Sequence, residues 1–276
     1  MNMVIAVTLV IVVVVVIKLK LVKNKRSKLF KQTLFLLGLI KHIIGLSQKH
    51  RGLIATYLQG NQSVAGDIHV LRGKILSATK EARQSYILNA EGRWQSYVDH
   101  WQRLESTSMT LSLADSFNQH TSLIETLLYL LQDIAEHLEF ADDQQKLAGS
   151  HFLWSEFPQL VEYIGQARAV GVATATKQQS TQIDKVKLGY LCNKIETMAN
   201  AVFNKMSSRA QAFKGDEITQ AKRACEHLVE IINEQLIVPD TVTLAGPDYF
   251  ALASQTMEQC NHILDNEMNK LTADYV

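Results

Sequence analysis

Arg51 and Arg168 are the two side chains whose surroundings ask for chemistry. At alternating steps of three and four, Leu37, Ile40, Ile44, Ser47, Arg51, Ile54 and Leu58 fall on one helical stripe. Phe157, Val161, Ile164, Arg168, Gly171 and Ala175 fall on another. A guanidinium at an otherwise apolar position costs several kcal/mol unless an anion or a dense set of acceptors meets it. Two such positions point to an anion-binding cavity between helices, with the two guanidinium groups converging on it. A bland reading stands beside this one: a small change of register puts His50 on the seam and lets Arg51 snorkel to solvent. Around Arg168 the neighbours Ile164, Gly165, Ala167, Ala169, Gly171, Val172 and Ala173 are small or apolar, which leaves a charged chain few exits.

Other chemistry is poorly supplied. Glu-x-x-His pairs for a di-iron bundle and HExxH are both absent, so no metal is expected. Asp133/His137 and Glu258/His262 are i,i+4 pairs of the kind found on solvated helix faces. Phosphate-cradling glycine loops and nucleophile elbows are missing as well, and the chain reads as neither enzyme nor cofactor protein. Cys192, Cys225 and Cys260 form no CxxC spacing and suit a reducing compartment. Trp94 and Trp101, seven apart, read as core anchors of one helix face.

The elements that must hold the arginines are helices. Among 276 residues there are three prolines, and 47% of side chains are apolar, enough for one large domain or two small ones. Periodic segments near 27–59, 64–90, 92–107, 117–140, 143–154, 156–178, 181–207, 216–236 and 247–272 predict an all-α body. Short connections make sequential helices antiparallel neighbours. The expected architecture is two packed up-down four-helix bundles, at roughly 32–140 and 156–276, each opened by an arginine helix.

Ahead of the body lies an apolar run. Residues 3–17 carry no charged side chain, and residues 3–22 reach ~30 Å as a helix, the thickness of a bilayer core. Seven basic residues from Lys18 to Lys31 follow without an acidic one among them, which is the reverse of a secretory signal. Residues 1–31 therefore read as a single transmembrane anchor with a basic juxtamembrane segment. The positive-inside rule places the body on the cytoplasmic side of the inner membrane. Residues 32–276 hold 21 basic and 27 acidic side chains, a net charge of −6, which argues against nucleic acid as a partner.

The run Leu46-Ser47-Gln48-Lys49-His50-Arg51-Gly52-Leu53-Ile54-Ala55 resembles the first signature of the nitrate- and nitrite-sensing (NIT) domains. Phe157-Pro158 through Ile164-Gly165-Gln166-Ala167-Arg168-Ala169-Val170-Gly171 resembles the second. Asp248-Tyr249-Phe250-Ala251-Leu252-Ala253 with Ile263-Leu264-Asp265 is similar to the closing helix of that family. The resemblance covers roughly residues 32–272. It implies an all-helical receptor for signal transduction in which Arg51 and Arg168 bind nitrate or nitrite between two bundles. Ser47, Gln48, Gly52, Gln166 and Gly171, which flank the arginines within those signatures, are the candidate supporting residues. Where family members often carry glutamate before the arginine, this chain has His50 and Ala167. Family members usually carry a fused output module, and here Val276 follows the last helix directly, so output is expected through a separate protein or a homodimer. The alternative is a ligand-free membrane-tethered scaffold or adaptor, in which the arginines pair with carboxylates of neighbouring helices.

Overall fold

The structure is a computed structural model that describes residues 2–140, 150–208 and 215–273. Its elements are α1 (Asn2–Leu58), α2 (Ala65–Ala82), the short α3 (Tyr86–Asn89), α4 (Gly92–Thr107), α5 (Leu113–Glu136), α6 (Glu156–Lys177), α7 (Gln182–Ser207), α8 (Gly215–Ile231) and α9 (Gly246–Ala273). Among the described residues there is no strand, and a single isolated bridge joins Gln179 to Thr241.

The apolar leader and the first arginine helix are one element. No proline interrupts residues 2–58, and the basic run that closes the leader is no helix breaker, so α1 continues for 57 residues, ~85 Å at helical rise. Residues 11–28 are exposed on every side, and burial begins at Phe30. Within that stretch residues 11–17 are apolar and exposed on every face, as the surface of a membrane-spanning helix would be, and the basic residues Lys18 to Lys28 follow them. Of the described residues, this is the one helix long and apolar enough to cross a bilayer.

From Phe30 onward α1 sinks into the body. Leu37, Ile40, Ile44, Ser47, Arg51 and Ile54 are all buried, as their spacing predicted, and Leu36, Ile43 and His50 bury a second face. α1 packs against α2 and α5, and α4 against α5. After residue 150, α6 packs on α7 and α9, and α8 on α7 and α9. Contacts of α1 with α6 and α9, and of α5 with α6, join the two sets.

Local capping signals account for two of the helix starts. Ser112 caps α5 by accepting the Asp115 amide, which starts that helix four residues before the expected 117. Thr181 and Asp184 form a reciprocal capping box at α7. The expected helix 64–90 is two: α2 ends at Ala82, and after a turn α3 presses Ile87 and Leu88 into the core. Beyond α8 the helix widens into a π-helical stretch, Ile232–Ile237. The segment expected at 143–154 lies outside the described residues as far as 149, and its remainder is a 3-10 turn, His151–Leu153. Trp94 and Trp101 are both buried, as core anchors should be.

Candidate functional site

Arg51 does face inward, and it is not alone there. Its Nη1 lies 2.5 Å from Glu162 Oε1 and its other terminal nitrogen 3.3 Å from Oε2, a fork on one carboxylate. Both side chains are essentially out of water, at 2% and 3% exposure. Gln48 donates to Glu162 Oε2 at 2.9 Å, and Gln166 to Oε1 at 3.0 Å. Four N–H donors from α1 and α6 thus surround one planar carboxylate. Thr121 of α5 accepts from Arg51 at 3.3 Å, and the Phe117 ring lies 5.7 Å from the guanidinium carbon. Gly165 makes room for this packing, since a Cβ there would sit 3.0 Å from an Arg51 nitrogen.

Arg168 sits six residues beyond Glu162 on α6, on a different face of the helix, and turns toward α9. It donates to the Ser254 hydroxyl at 3.0 Å and lies 5.2 Å from the Phe250 ring centre. Among the described residues it makes no ion pair. Burial pushes its pKa down, and the charge of Arg51 pushes the same way. The two guanidinium groups therefore feel one another. A cavity of about 230 Å³ is lined by Arg51, Phe117, Ala169, Val170, Lys177 and Lys187 among others, and Arg168 is not one of its lining residues.

The supporting candidates divide. Gln48 and Gln166 belong to the carboxylate cradle. Ser47 is buried but gives its hydroxyl back to the Ile43 carbonyl at 2.8 Å. Gly52 has open space around the Cβ it lacks. Gly171 lies under the Tyr249 ring, where a Cβ would come within 2.3 Å of the ring carbons, and Tyr249 donates to the Ala167 carbonyl at 2.9 Å. Gly171→Ala is expected to force these helices apart at a cost of about 1–3 kcal/mol. A thermal melt indistinguishable from wild type would show that α6 and α9 do not approach this closely.

The sequence reading did not single out Glu162, although a signal was present: it is the sole carboxylate between Glu156 and Asp184. Nor did it connect His50 to a network. His120 Nδ1 bonds the Ser116 carbonyl at 2.7 Å, which requires a proton there and leaves Nε2 to accept from His50 Nδ1 at 2.8 Å. His50 Nε2 then faces the Arg72 Nε–H at 3.4 Å, and Arg72 donates to Ser108 at 2.8 Å. Burial is the first cause that lowers both imidazoles, His50 to about 2 and His120 to about 4. The pair is therefore neutral and fixes α1 against α5 and α2 beside Arg51. Elsewhere Asp133 pairs with Arg93 and His137 with Glu91, not with each other. Cys225 and Cys260 are buried free thiols 3.8 Å apart.

The nitrate and nitrite sensing family matches residues 45–271, a span that includes Arg51, Arg168 and the whole cradle, and the chain belongs to that family. The solved structure of the NasR transcription antiterminator is similar in fold, with a TM-score of 0.66 at 17% identity, over 96% of this chain and 74% of that one. No curated protein matches.

Proposed function

We propose that this chain is a membrane-anchored sensor that binds nitrate or nitrite through Arg51 and Arg168, where two helical bundles meet, and signals by a change in helix packing. The observation that carries the reading is the cradle itself. Arg51, Gln48 and Gln166 aim four donors at a carboxylate, which is a planar group presenting two anionic oxygens. Nitrate and nitrite present two oxygens in the same plane, and an arginine fork suits that geometry. Arg168, half-buried and without a direct ion pair among the described residues, adds a second positive group near the site. Family membership supports the same ligand class.

In this reading residues 3–22 cross the inner membrane and the basic flank keeps the body in the cytoplasm. Because α1 runs unbroken from the leader to Arg51, a shift at the site would travel along one rod toward the membrane. Output then passes to a separate protein or to a second copy of the chain. The similarity in fold to a transcription antiterminator is in keeping with a regulatory output. No catalytic step is assigned.

The Arg51–Glu162 pair favours a second reading, a tethered scaffold whose arginine is purely structural. Calorimetric titration of the full chain in lipid nanodiscs with nitrate, nitrite, chloride and sulfate separates the two. The sensor reading expects saturable binding of the planar oxyanions in preference to chloride and sulfate. Absence of heat with every anion would leave the scaffold.

A further inference from the structure

Glu162 occupies the place that the proposed reading gives to the anion. Its two oxygens take both arms of the Arg51 fork and one bond from each glutamine amide, so the four donors aimed at the cradle are engaged. An oxyanion that enters must either leave these donors alone or displace the carboxylate. The first course gives up the geometry that suits a planar anion. The second leaves a carboxylate beside a bound anion in a site at 2% exposure, a repulsion that the protein can relieve only by removing a charge.

We propose that Glu162 is a resident competitor for the anion cradle and that each oxyanion bound drives it out together with the uptake of one proton. This inference rests on the reading of the cradle as an oxyanion site. The balance is simple: one anion enters, one proton from solvent neutralises the displaced carboxylate, and Arg51 changes one counter-charge for another. The buried site gains no net charge.

The surroundings of Glu162 tell where the carboxyl would go. A crevice of about 60 Å³, distinct from the 230 Å³ cavity, opens between α5 and α6, lined by Glu125, Leu128, Tyr129, Gln159, Tyr163 and Gln166 as well as by Glu162 itself. A displaced side chain can turn into it without unpacking a helix. There it meets Glu125, a solvent-exposed carboxylate on α5 whose pKa is raised by partial desolvation first and by the charge of Glu162 second. Two carboxylates in one crevice favour one shared proton over two charges. The other charged groups in range are Arg51 on α1 and Arg168 on α6, with Glu258 of α9 acting on Arg168; the imidazoles of His50 and His120 are neutral. Entry through the 230 Å³ cavity passes Lys177 and Lys187, against the single carboxylate of Asp184.

The sign follows from linkage. If the anion-bound form holds more protons than the free form, affinity rises as pH falls, by at most about tenfold per pH unit for one proton. The experiment is nitrate titration of the full chain in nanodiscs across a pH series, in two buffers of unlike ionisation enthalpy. Wild type is expected to weaken as pH rises, and its binding heat to differ between buffers by the ionisation heat of one proton. Glu162→Gln is expected to bind nitrate with little pH dependence and to exceed wild-type affinity by tenfold or more at the alkaline end, the two converging at the acid end. Glu125→Gln, which leaves the buried pair intact, is expected to move the pH dependence without abolishing binding, and it serves should Glu162→Gln fail to fold. Nitrate binding by wild type with constant affinity and equal heat in both buffers would overturn the competitor while leaving the sensor reading in place. No binding of nitrate or nitrite by wild type, Glu162→Gln or Glu125→Gln would overturn the sensor reading itself.

Discussion

Arg51→Ala is expected to destabilise the ligand-free protein by about 3–5 kcal/mol, because it strands Glu162 with only two amides for company. The carboxylate is 3% exposed and no other cation pairs with it among the described residues. Chemical denaturation of the purified protein at neutral pH measures the loss. The double variant Arg51→Met/Glu162→Leu should regain most of it, since neither buried charge remains and the volumes are close. Equal stability of Arg51→Ala and wild type would mean that the fork does not form in solution. Arg168→Ala should behave otherwise. What it loses is one hydrogen bond to Ser254 and a ring contact with Phe250, and what it relieves is a half-buried charge with no direct ion pair among the described residues. Its ligand-free stability is expected to stay within about 1 kcal/mol of wild type or to rise.

That contrast marks where sequence reasoning ends. A helical stripe states which way a side chain points, and for Arg51 it pointed correctly, since its stripe neighbours Ile40, Ile44, Ser47 and Ile54 are buried with it. A stripe does not state which helix lies opposite. The partner of Arg51 is 111 residues away on α6, and only the packing of α1 on α6 brings Glu162 to it. The isolation of Glu162 in an apolar run was legible, yet a lone acid on a helix is more often a solvated one. The unbroken α1 was legible too, because nothing between residues 2 and 58 breaks a helix. The division drawn near residue 31 followed a change in composition, and composition does not interrupt backbone hydrogen bonds. By contrast the break after Ala82 has no glycine or proline to announce it. It is set by the burial of Ile87 and Leu88 against the core, which is tertiary information.

The arginine that lacks a carboxylate is the one whose substitution tests ligand binding most cleanly. Arg168→Lys keeps the charge and loses the fork, so if the side chain grips the anion through two N–H groups, nitrate affinity should fall nearly as far as in Arg168→Ala, by about 2–5 kcal/mol in a desolvated site. A lysine that restored most of the affinity would show that Arg168 acts as a distant point charge, in line with its turning toward Ser254 and away from the cradle. The measurement is nitrate calorimetry on wild type and both variants, accompanied by thermal melts with and without nitrate. Wild type should gain stability with nitrate by mass action, because the anion binds the folded form alone. Both Arg168 variants should lose that gain while their ligand-free melts stay close to wild type. A variant that melts far below ligand-free wild type, together with a wild type that nitrate does not stabilise, would give Arg168 a structural role and defeat the sensor reading. Binding loss at constant fold stability is the signature that no scaffold arginine can produce.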